Sequence, residues 1–217
     1  MSLVLDDLLE RTSVLDQELH DLLADANNNG TAQSRLIVSM CHLVVEHGLS
    51  LRLLVAHGNL TSAIVLLRVQ LDAVIRLVWI HYAADQAWVQ SVMTHRPENG
   101  EKDPTQALAA KTMLKEIQER APPELHRQLS EFKEAAWPAL NSYVHSGIWP
   151  LVQRVRGNEI EGAIQTLKNS MGLTCMAAMM IAMHTGDRQN TLAVKFLQLK
   201  HRECLPPILE VPPSSAG

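Results

Sequence analysis

Apolar side chains recur along the chain every three or four residues, which is the spacing of one face of an α-helix. The first such stretch covers residues 3–26 and the second runs from Thr31 to about His57. Short breakers follow each of them, Asn27–Gly30 and then Gly58-Asn59, and such residues favour helix ends. No segment alternates with the period of two that a half-buried strand requires. The pattern therefore predicts a protein built from helices alone.

Further breakers divide the rest of the chain. The third helix can continue unbroken towards His95, and the polar stretch Arg96–Asp103 is a loop. Proline predicts a helix start at Pro104 and at Pro122-Pro123, and interruptions at Trp137-Pro138 and Ile148-Trp149-Pro150. The last two helices are expected at 158–185 and 187–205. This spacing predicts one all-α, up-down bundle of six or seven helices over residues 1–205, followed by an extended or disordered tail at 206–217.

The helix predicted from Leu60 to Tyr82 is apolar on every side except for one row of charges. Arg68, Asp72 and Arg76 are spaced four residues apart, so they share a face and Asp72 can reach both arginines. Charges inside a protein require partners. The row is therefore a structural ion network, an anion or phosphate site built on two guanidiniums, or a patch at an oligomer interface.

A second polar cluster lies at the predicted end of a helix, from Asn141 to Gly147. Asn141 and His145 are four residues apart and share a face, with Tyr143 between them, and Gly147 is the expected helix stop. His145 is either a capping side chain, which the helix dipole stabilises, or a general acid–base group beside Asn141. Because a buried charged row needs hydrogen-bond partners, we expect this segment to pack against the row that contains Arg68.

Composition narrows the class of function. The net charge of the 217 residues is -4, so the chain lacks the basic surplus of proteins that coat nucleic acid or anionic membranes non-specifically. Cys41, Cys175 and Cys204 form no CxxC motif, which predicts reduced, buried thiols with no metal site and no cofactor. The chain shows no signal-peptide pattern and no uncharged apolar run of about 18 residues. We therefore expect a cytoplasmic protein with no membrane partner.

Two further patterns concern partners. The helix predicted at 158–185 ends in a methionine-rich segment, which is typical of a core or of a homodimer seam. Arginine is followed by histidine after four to six residues in four places, a spacing found on a helix in HEPN ribonucleases. The four pairs are Arg35/His42, Arg52/His57, Arg76/His81 and Arg120/His126.

The third helix and the Asn141 segment together resemble a family of uncharacterised bacterial proteins of about this length. In that family, a helix of pattern S-A-x-x-L-x-R-x-x-x-(E/D)-x-x-x-R-x-x-W precedes an Asn/Ser…His-(S/T)-Gly segment. The matching residues are Ser62, Ala63, Leu66, Arg68, Asp72, Arg76 and Trp79, then Asn141, His145, Ser146 and Gly147. The resemblance implies an all-helical fold and a distant kinship with HEPN-like proteins of phage defence and toxin–antitoxin systems.

Two functions remain open on the sequence. The first is a HEPN-like, homodimeric bacterial protein that binds or cleaves RNA or a nucleotide, without a metal. Its candidate catalytic residues are His145 and Asn141, and its candidate ligand-binding residues are Arg68, Asp72, Arg76 and Tyr143. The second is a non-catalytic interaction or regulatory protein whose polar network is purely structural. An accessible site lined by these side chains favours the first function, and full burial with every group paired favours the second.

Overall fold

A computed structural model describes residues 3–24, 30–96, 98, 100–105, 108–157 and 159–207. Within these residues the regular structure is entirely helical and no strand occurs, so the predicted all-α class is confirmed. The helices are α1 (Leu3–Leu23), α2 (Ala32–Ala56), α3 (Leu60–Tyr82), α4 (Gln86–Thr94), α5 (Ala110–Arg120), α6 (Pro123–Val144), α7 (Ile148–Arg156), α8 (Glu159–His184) and α9 (Arg188–Lys200), followed by a 3-10 turn at Arg202–Cys204. The expected number of six or seven is too low for this part of the chain, which contains nine α-helices.

One additional helix arises where the predicted third helix divides into α3 and α4. α3 ends at Tyr82, and Ala83 is its C-cap residue. The Ala83 carbonyl accepts a hydrogen bond of 2.7 Å from the Arg120 guanidinium. Asp85 then caps α4, because its carboxylate accepts a hydrogen bond from the backbone N–H of Trp88 at 2.7 Å. The helix therefore ends at a contact between distant residues, which the local sequence pattern does not reveal.

The prolines act differently from the prediction. α6 continues through Pro138, which is exposed, as is Glu134 one turn earlier, so water can solvate the carbonyl that a helical proline leaves unpaired. Pro150 lies in the first turn of α7, where its missing N–H costs little. The interruption falls instead between α6 and α7, where Ser146 has a left-handed φ of 52°. Ser146, and not Gly147, therefore provides the left-handed helix stop.

The centre of the fold consists of α2, α3 and α8, which pack against one another. α1 and α9 cover α8 on one side, while α5 and α6 cover α3 on the other. α3 is the most central helix, since most of its residues between Leu71 and Ile80 are buried. The single up-down bundle is therefore better described as a three-helix centre flanked by two pairs of helices.

A buried hydrogen-bond network joins the three central helices. The Gln70 amide nitrogen donates to the Val44 carbonyl at 3.1 Å and to the Thr174 hydroxyl at 3.2 Å. The Ser170 hydroxyl donates back to the Gln70 amide oxygen at 2.8 Å. Gly48 allows this close crossing, because a Cβ atom there would lie 2.8 Å from the Gln70 amide nitrogen. The network satisfies a side chain that is completely buried.

α2 is the one helix in the described part of the chain that is long and apolar enough, by length and composition, to cross a membrane. Core helices of water-soluble proteins pass the same test, and α2 packs against α3 and α8. The predicted tail from residue 208 onwards and most of the predicted stop at Asn27–Gly30 lie outside the described residues.

Candidate functional site

The packing of α6 on α3 joins the two polar clusters. The Arg68 Nε donates a hydrogen bond of 3.1 Å to the Asn141 side-chain oxygen, and the Arg68 Nη1 pairs with the Asp72 carboxylate. The same guanidinium lies over Trp137, with its Cζ 3.4 Å from the ring centroid. Arg68 is thus held by a carboxylate, an amide and an aromatic ring.

Four polar or aromatic side chains occur along α6 and at its C-cap at intervals of four residues, each about 40° further round the helix than the one before. We call them, together with Arg68, the cationic strip. They are Lys133, Trp137, Asn141 and His145. The Lys133 ammonium lies 4.7 Å from the Trp137 ring centroid, so two cations share this indole. His145 is exposed at the end of α6, and its ring makes no hydrogen bond to a residue that the structure describes.

Several nitrogen donors of the cationic strip lack protein partners. The Arg68 Nη2 and the Asn141 amide nitrogen make no hydrogen bond within the described residues, and neither is a buried, unpaired atom. The Lys133 ammonium and the His145 ring add further donors at the two ends of the strip, which turns by about 120° around α6 between them. The strip can therefore offer several N–H groups to an anion, while Asp72, Asn141 and Trp137 hold Arg68 in position.

The predicted charged row of α3 does not act as one unit. Asp72 pairs with Arg68 and has no hydrogen bond or ion pair to Arg76, so the expectation that it reaches both arginines does not match the geometry. Instead, one terminal nitrogen of Arg76 is buried without a hydrogen-bond partner among the described residues. Hydrogen bonds from Thr105 lower the pKa of Asp103, and the positive charges of His95 and Arg76 contribute to this. The predicted row is therefore divided into the Arg68–Asp72 pair and an Arg76 that forms no ion pair with a described residue.

The Arg68–Asp72 pair is neither fully buried nor fully exposed. The Arg68 side chain is 14% exposed, whereas that of Asp72 is 40% exposed. Two cavities in the described part of the chain are lined by other side chains, one of about 10 Å³ beside Arg52 and one of about 380 Å³ between α1 and the 3-10 turn. The cationic strip is thus a partly exposed surface feature.

Tyr143, which the sequence placed among the ligand-binding residues, lies in the hydrophobic core, and burial raises the pKa of its phenol.

The turn after Tyr143 is held by hydrogen bonds and close packing. The Gly147 N–H donates to the Ser142 carbonyl at 2.7 Å. A Cβ atom on Gly147 would lie 2.6 Å from the Ser142 hydroxyl oxygen. That hydroxyl accepts from the Trp149 N–H at 3.1 Å and so caps α7. This segment therefore forms the end of the strip, and Tyr143 is not part of the strip.

In three of the four arginine–histidine pairs the two side chains point apart or the arginine is bound elsewhere. Arg35 and His42, seven residues apart, instead share an exposed face of α2. Arg76 and His81 lie on different sides of α3, since five residues correspond to about 140° on a helix. The His81 ring packs beside His184, with ring centroids 5.6 Å apart. The Arg52 guanidinium is bound by Asp16 at 3.0 Å, and that of Arg120 by the Ala83 carbonyl.

Sequence reasoning missed two groups of residues. Trp137 and Lys133 extend the four-residue spacing of Asn141 and His145 backwards by about one and two helical turns, which was visible in the sequence. His201, Glu203 and Cys204 come together at the 3-10 turn, where their potential ligand atoms lie within 4.8 Å of one another. The short spacing His-x-Glu-Cys was also visible, although it matches no common metal-binding motif.

These observations define an all-helical protein with a cationic, partly exposed strip between its third and sixth helices. The chain belongs to a family of unknown function, DUF6988, whose model matches residues 41–207 and so includes the whole strip. The resemblance to an uncharacterised helical family is thereby confirmed. No curated protein and no solved structure matches the chain.

Proposed function

We propose that the cationic strip binds a phosphate-bearing ligand, RNA or a nucleotide, and that it does so without cleaving it. The observation that carries this proposal is the line of nitrogen donors without protein partners on α6, next to an arginine whose orientation is fixed. Phosphate oxygens accept hydrogen bonds from such donors, and arginine and lysine provide most contacts of this kind in nucleic-acid complexes.

The charge distribution is compatible with a local site on an acidic chain. The net charge of -4 opposes non-specific coating of nucleic acid. The strip, however, brings Arg68 and Lys133 together on the Trp137 ring, and Asp72 pairs with the Arg68 guanidinium. A carboxylate that holds an arginine reduces the entropy the side chain loses when it binds an anion. Asp72 would thus orient the Arg68 guanidinium, while its negative charge would weaken the attraction of the strip for an anion.

Binding without cleavage follows from the position of His145. A general acid or base needs to reach the reacting proton and to be oriented by a neighbour. The His145 ring makes no hydrogen bond to a described residue, and in three of the four arginine–histidine pairs the side chains point apart or the arginine is bound elsewhere. A HEPN-like role in phage defence or in a toxin–antitoxin system, in the bacterial cytoplasm, is the setting that we propose for this binding protein. The resemblance carried by Arg68, Asp72 and His145 supports that setting.

The test uses fluorescence anisotropy with a labelled single-stranded oligoribonucleotide and, separately, with a labelled ATP analogue. The purified full chain should bind one of them with an affinity that falls as salt rises. Lys133→Ala should lower the salt slope by about 0.7, the value for one phosphate contact on a single strand. His145→Ala should also weaken binding, and both variants should stay folded because these side chains lie at the surface.

Lys195→Ala is the matched control, because Lys195 is an exposed lysine on α9, away from α6. Binding to neither probe, or equal losses in Lys133→Ala and Lys195→Ala, would contradict the proposed site. Gel analysis of the RNA after long incubation tests the second half of the proposal. Cleavage that disappears in His145→Ala would show that the protein is a nuclease.

The alternative, a non-catalytic interaction or regulatory protein with a purely structural network, is favoured by one observation. The Arg68 side chain is mostly buried and already has three partners, Asp72, Asn141 and Trp137. In that case Asp72→Ala would destabilise the fold while Lys133→Ala and His145→Ala would change nothing measurable.

A further inference from the structure

We propose that His201, Glu203 and Cys204 form a binding site for one Zn²⁺ ion. The three residues lie at the end of α9 and in the 3-10 turn that follows it. One potential ligand atom from each, an imidazole nitrogen, a carboxylate oxygen and the thiol sulfur, lies within 4.8 Å of the other two. Zinc bonds of about 2.0–2.3 Å in a tetrahedral site place the ligand atoms about 3.3–3.8 Å apart, so the side chains would move together by about 1 Å to bind the ion.

The arrangement around His201 resembles that of a metal-ligating histidine. Its Nε2 lies 2.9 Å from a carboxylate oxygen of Glu18 on α1. Histidines that bind metals commonly donate their other ring N–H to a carboxylate, which fixes the ring orientation and increases the basicity of the ligating nitrogen. The second oxygen of Glu18 is held by the Lys200 ammonium at 2.6 Å, so this carboxylate is itself oriented.

An open cleft gives an ion access to His201 and Glu203, and the Cys204 sulfur, which is buried, lies within 4.8 Å of their ligand atoms. The cleft has a volume of about 380 Å³ and lies between α1 and the 3-10 turn, with His201 and Glu203 in its wall. Asp7, Glu10, Arg11 and Lys200 also line it. Arg11 contacts one Glu203 carboxylate oxygen, at 3.3 Å.

The ligand chemistry selects zinc among the common divalent ions. A thiolate and an imidazole suit Zn²⁺, whereas Mg²⁺ and Ca²⁺ prefer sites made of oxygen atoms alone. Cys204 would lose its proton to solvent on binding, and the thiolate sulfur would form the bond to the metal. Three protein ligands leave a fourth position on the cleft side for water or for a carboxylate of α1.

The experiment is a titration of the metal-free full chain with CoCl₂, monitored by absorption. Cobalt(II) occupies zinc sites, and a thiolate ligand gives a sulfur-to-cobalt charge-transfer band that imidazole and carboxylate ligands do not produce. We expect the band to saturate at one ion per chain and to disappear when ZnCl₂ is added in equal amount. MgCl₂ in excess should leave the band unchanged.

The variants assign the ligands. Cys204→Ala should abolish the charge-transfer band, whereas Cys41→Ala and Cys175→Ala should retain it. Glu203→Gln changes a partly exposed side chain and should weaken zinc binding at least tenfold in a folded protein. Glu18→Gln tests the positioning role of Glu18, and we expect a 10- to 100-fold loss of affinity. Far-UV circular dichroism checks the fold of every variant.

Thermal unfolding gives a readout that does not depend on cobalt. A ligand that binds only the folded state raises the unfolding temperature, so ZnCl₂ should stabilise the wild-type chain and stabilise Glu203→Gln less. Absence of the charge-transfer band at micromolar protein, or a band that persists in Cys204→Ala, would overturn the proposal. Zinc stabilisation that is equal in the wild type and Glu203→Gln would overturn the role of Glu203.

Discussion

At the scale of single residues, Arg68 shows how one side chain connects two distant parts of the chain. Its guanidinium contacts Asp72 on its own helix and Asn141 and Trp137 on α6. The first contact could be predicted, because a separation of four residues on a helix brings side chains together. The contact with Asn141 was expected only from the need to pair polar groups. The stacking on Trp137 depends on the angle and register of α6, which no local pattern specifies.

Replacing Asp72 with alanine should destabilise the fold moderately. Breaking a buried ion pair costs about 3–5 kcal/mol, whereas an exposed pair on a helix contributes about 0.3–0.5 kcal/mol. Arg68 is mostly buried but Asp72 is 40% exposed, so we expect a loss of about 1–2 kcal/mol in the free energy of unfolding. Urea denaturation measures it.

Asp7→Ala is the matched control for this prediction. Asp7 forms the same kind of pair with Arg11 four residues later on α1, and there both side chains are at least half exposed. We expect that variant to lose at most about 0.5 kcal/mol. A loss for Asp72→Ala no larger than for Asp7→Ala would show that Arg68 does not depend on its carboxylate.

At the scale of the helices, most boundaries could be predicted from the sequence, and the differences have identifiable causes. The predicted ends near His57 and His184 agree with the structure, because glycine follows each of them within two residues. The break between α3 and α4 was missed, because it depends on the contact of Arg120 with Ala83. Pro138 was expected to interrupt α6, but Leu140 and Tyr143 beyond it are buried, and this packing offsets the cost of the proline.

Replacing Gly48 with alanine should destabilise the crossing of α2 with α3 and α8. Alanine normally favours a helix over glycine by about 1 kcal/mol. At Gly48, however, the new Cβ would lie 2.8 Å from the Gln70 amide nitrogen and 2.9 Å from the Thr174 hydroxyl. Hydrogen bonds hold both of those atoms in the core, so neither can move freely. We expect a net loss of about 1–3 kcal/mol in urea denaturation.

Gly162→Ala, inside α8, is the control for the same substitution. Its Cβ would meet the amide end of Gln153, which is only partly buried and can move away. We expect this variant to be neutral or more stable by up to about 1 kcal/mol. Equal effects at the two glycines would mean that the buried network adapts to the additional methyl group.

At the scale of the whole molecule, the partly buried pair His81 and His184 should make stability depend on pH. Burial, followed by the charge of His184, lowers the pKa of His81, and burial lowers the pKa of His184. In the unfolded chain both titrate near about 6.5. Below that pH the unfolded state binds protons that the folded state resists, so stability falls as the pH decreases from about 6.5.

One substitution can show whether His81 causes this pH dependence of stability. His81→Phe removes one titrating group and also the buried, unpaired Nδ1 of that ring. The variant should be as stable as the wild type, or more stable, at neutral pH. Below pH 6.5 its free energy of unfolding should depend less steeply on pH. Because solvent partly reaches both rings, the slope should change by less than the full value of about 1.4 kcal/mol per pH unit for one group. Urea denaturation at a series of pH values measures this. His42→Phe, at an exposed position of α2, should leave the slope unchanged, and an equal change in both variants would contradict the assignment.

The expected homodimer is also a property of the whole molecule, and α9 offers the face on which to test it. Leu192, Phe196 and Leu199 form one row on this helix and are 55%, 64% and 71% exposed, while Val194 anchors the opposite face in the core. Large apolar side chains in such a row are typical of a surface that another chain covers. We expect light scattering after size exclusion to give twice the chain mass for the wild type and the mass of one chain for Phe196→Glu.

Val155→Glu on α7 is the control for the dimer, because Val155 is 88% exposed and also lies in an apolar row, with Ile148 and Leu151. A glutamate there should leave the dimer intact if α9 forms the interface. A dimer that Val155→Glu disrupts and Phe196→Glu leaves intact would place the interface on α7. That face follows directly after His145, so such a result would bring two cationic strips towards one another. A wild-type chain that scatters as a monomer at micromolar concentration would contradict the homodimer itself.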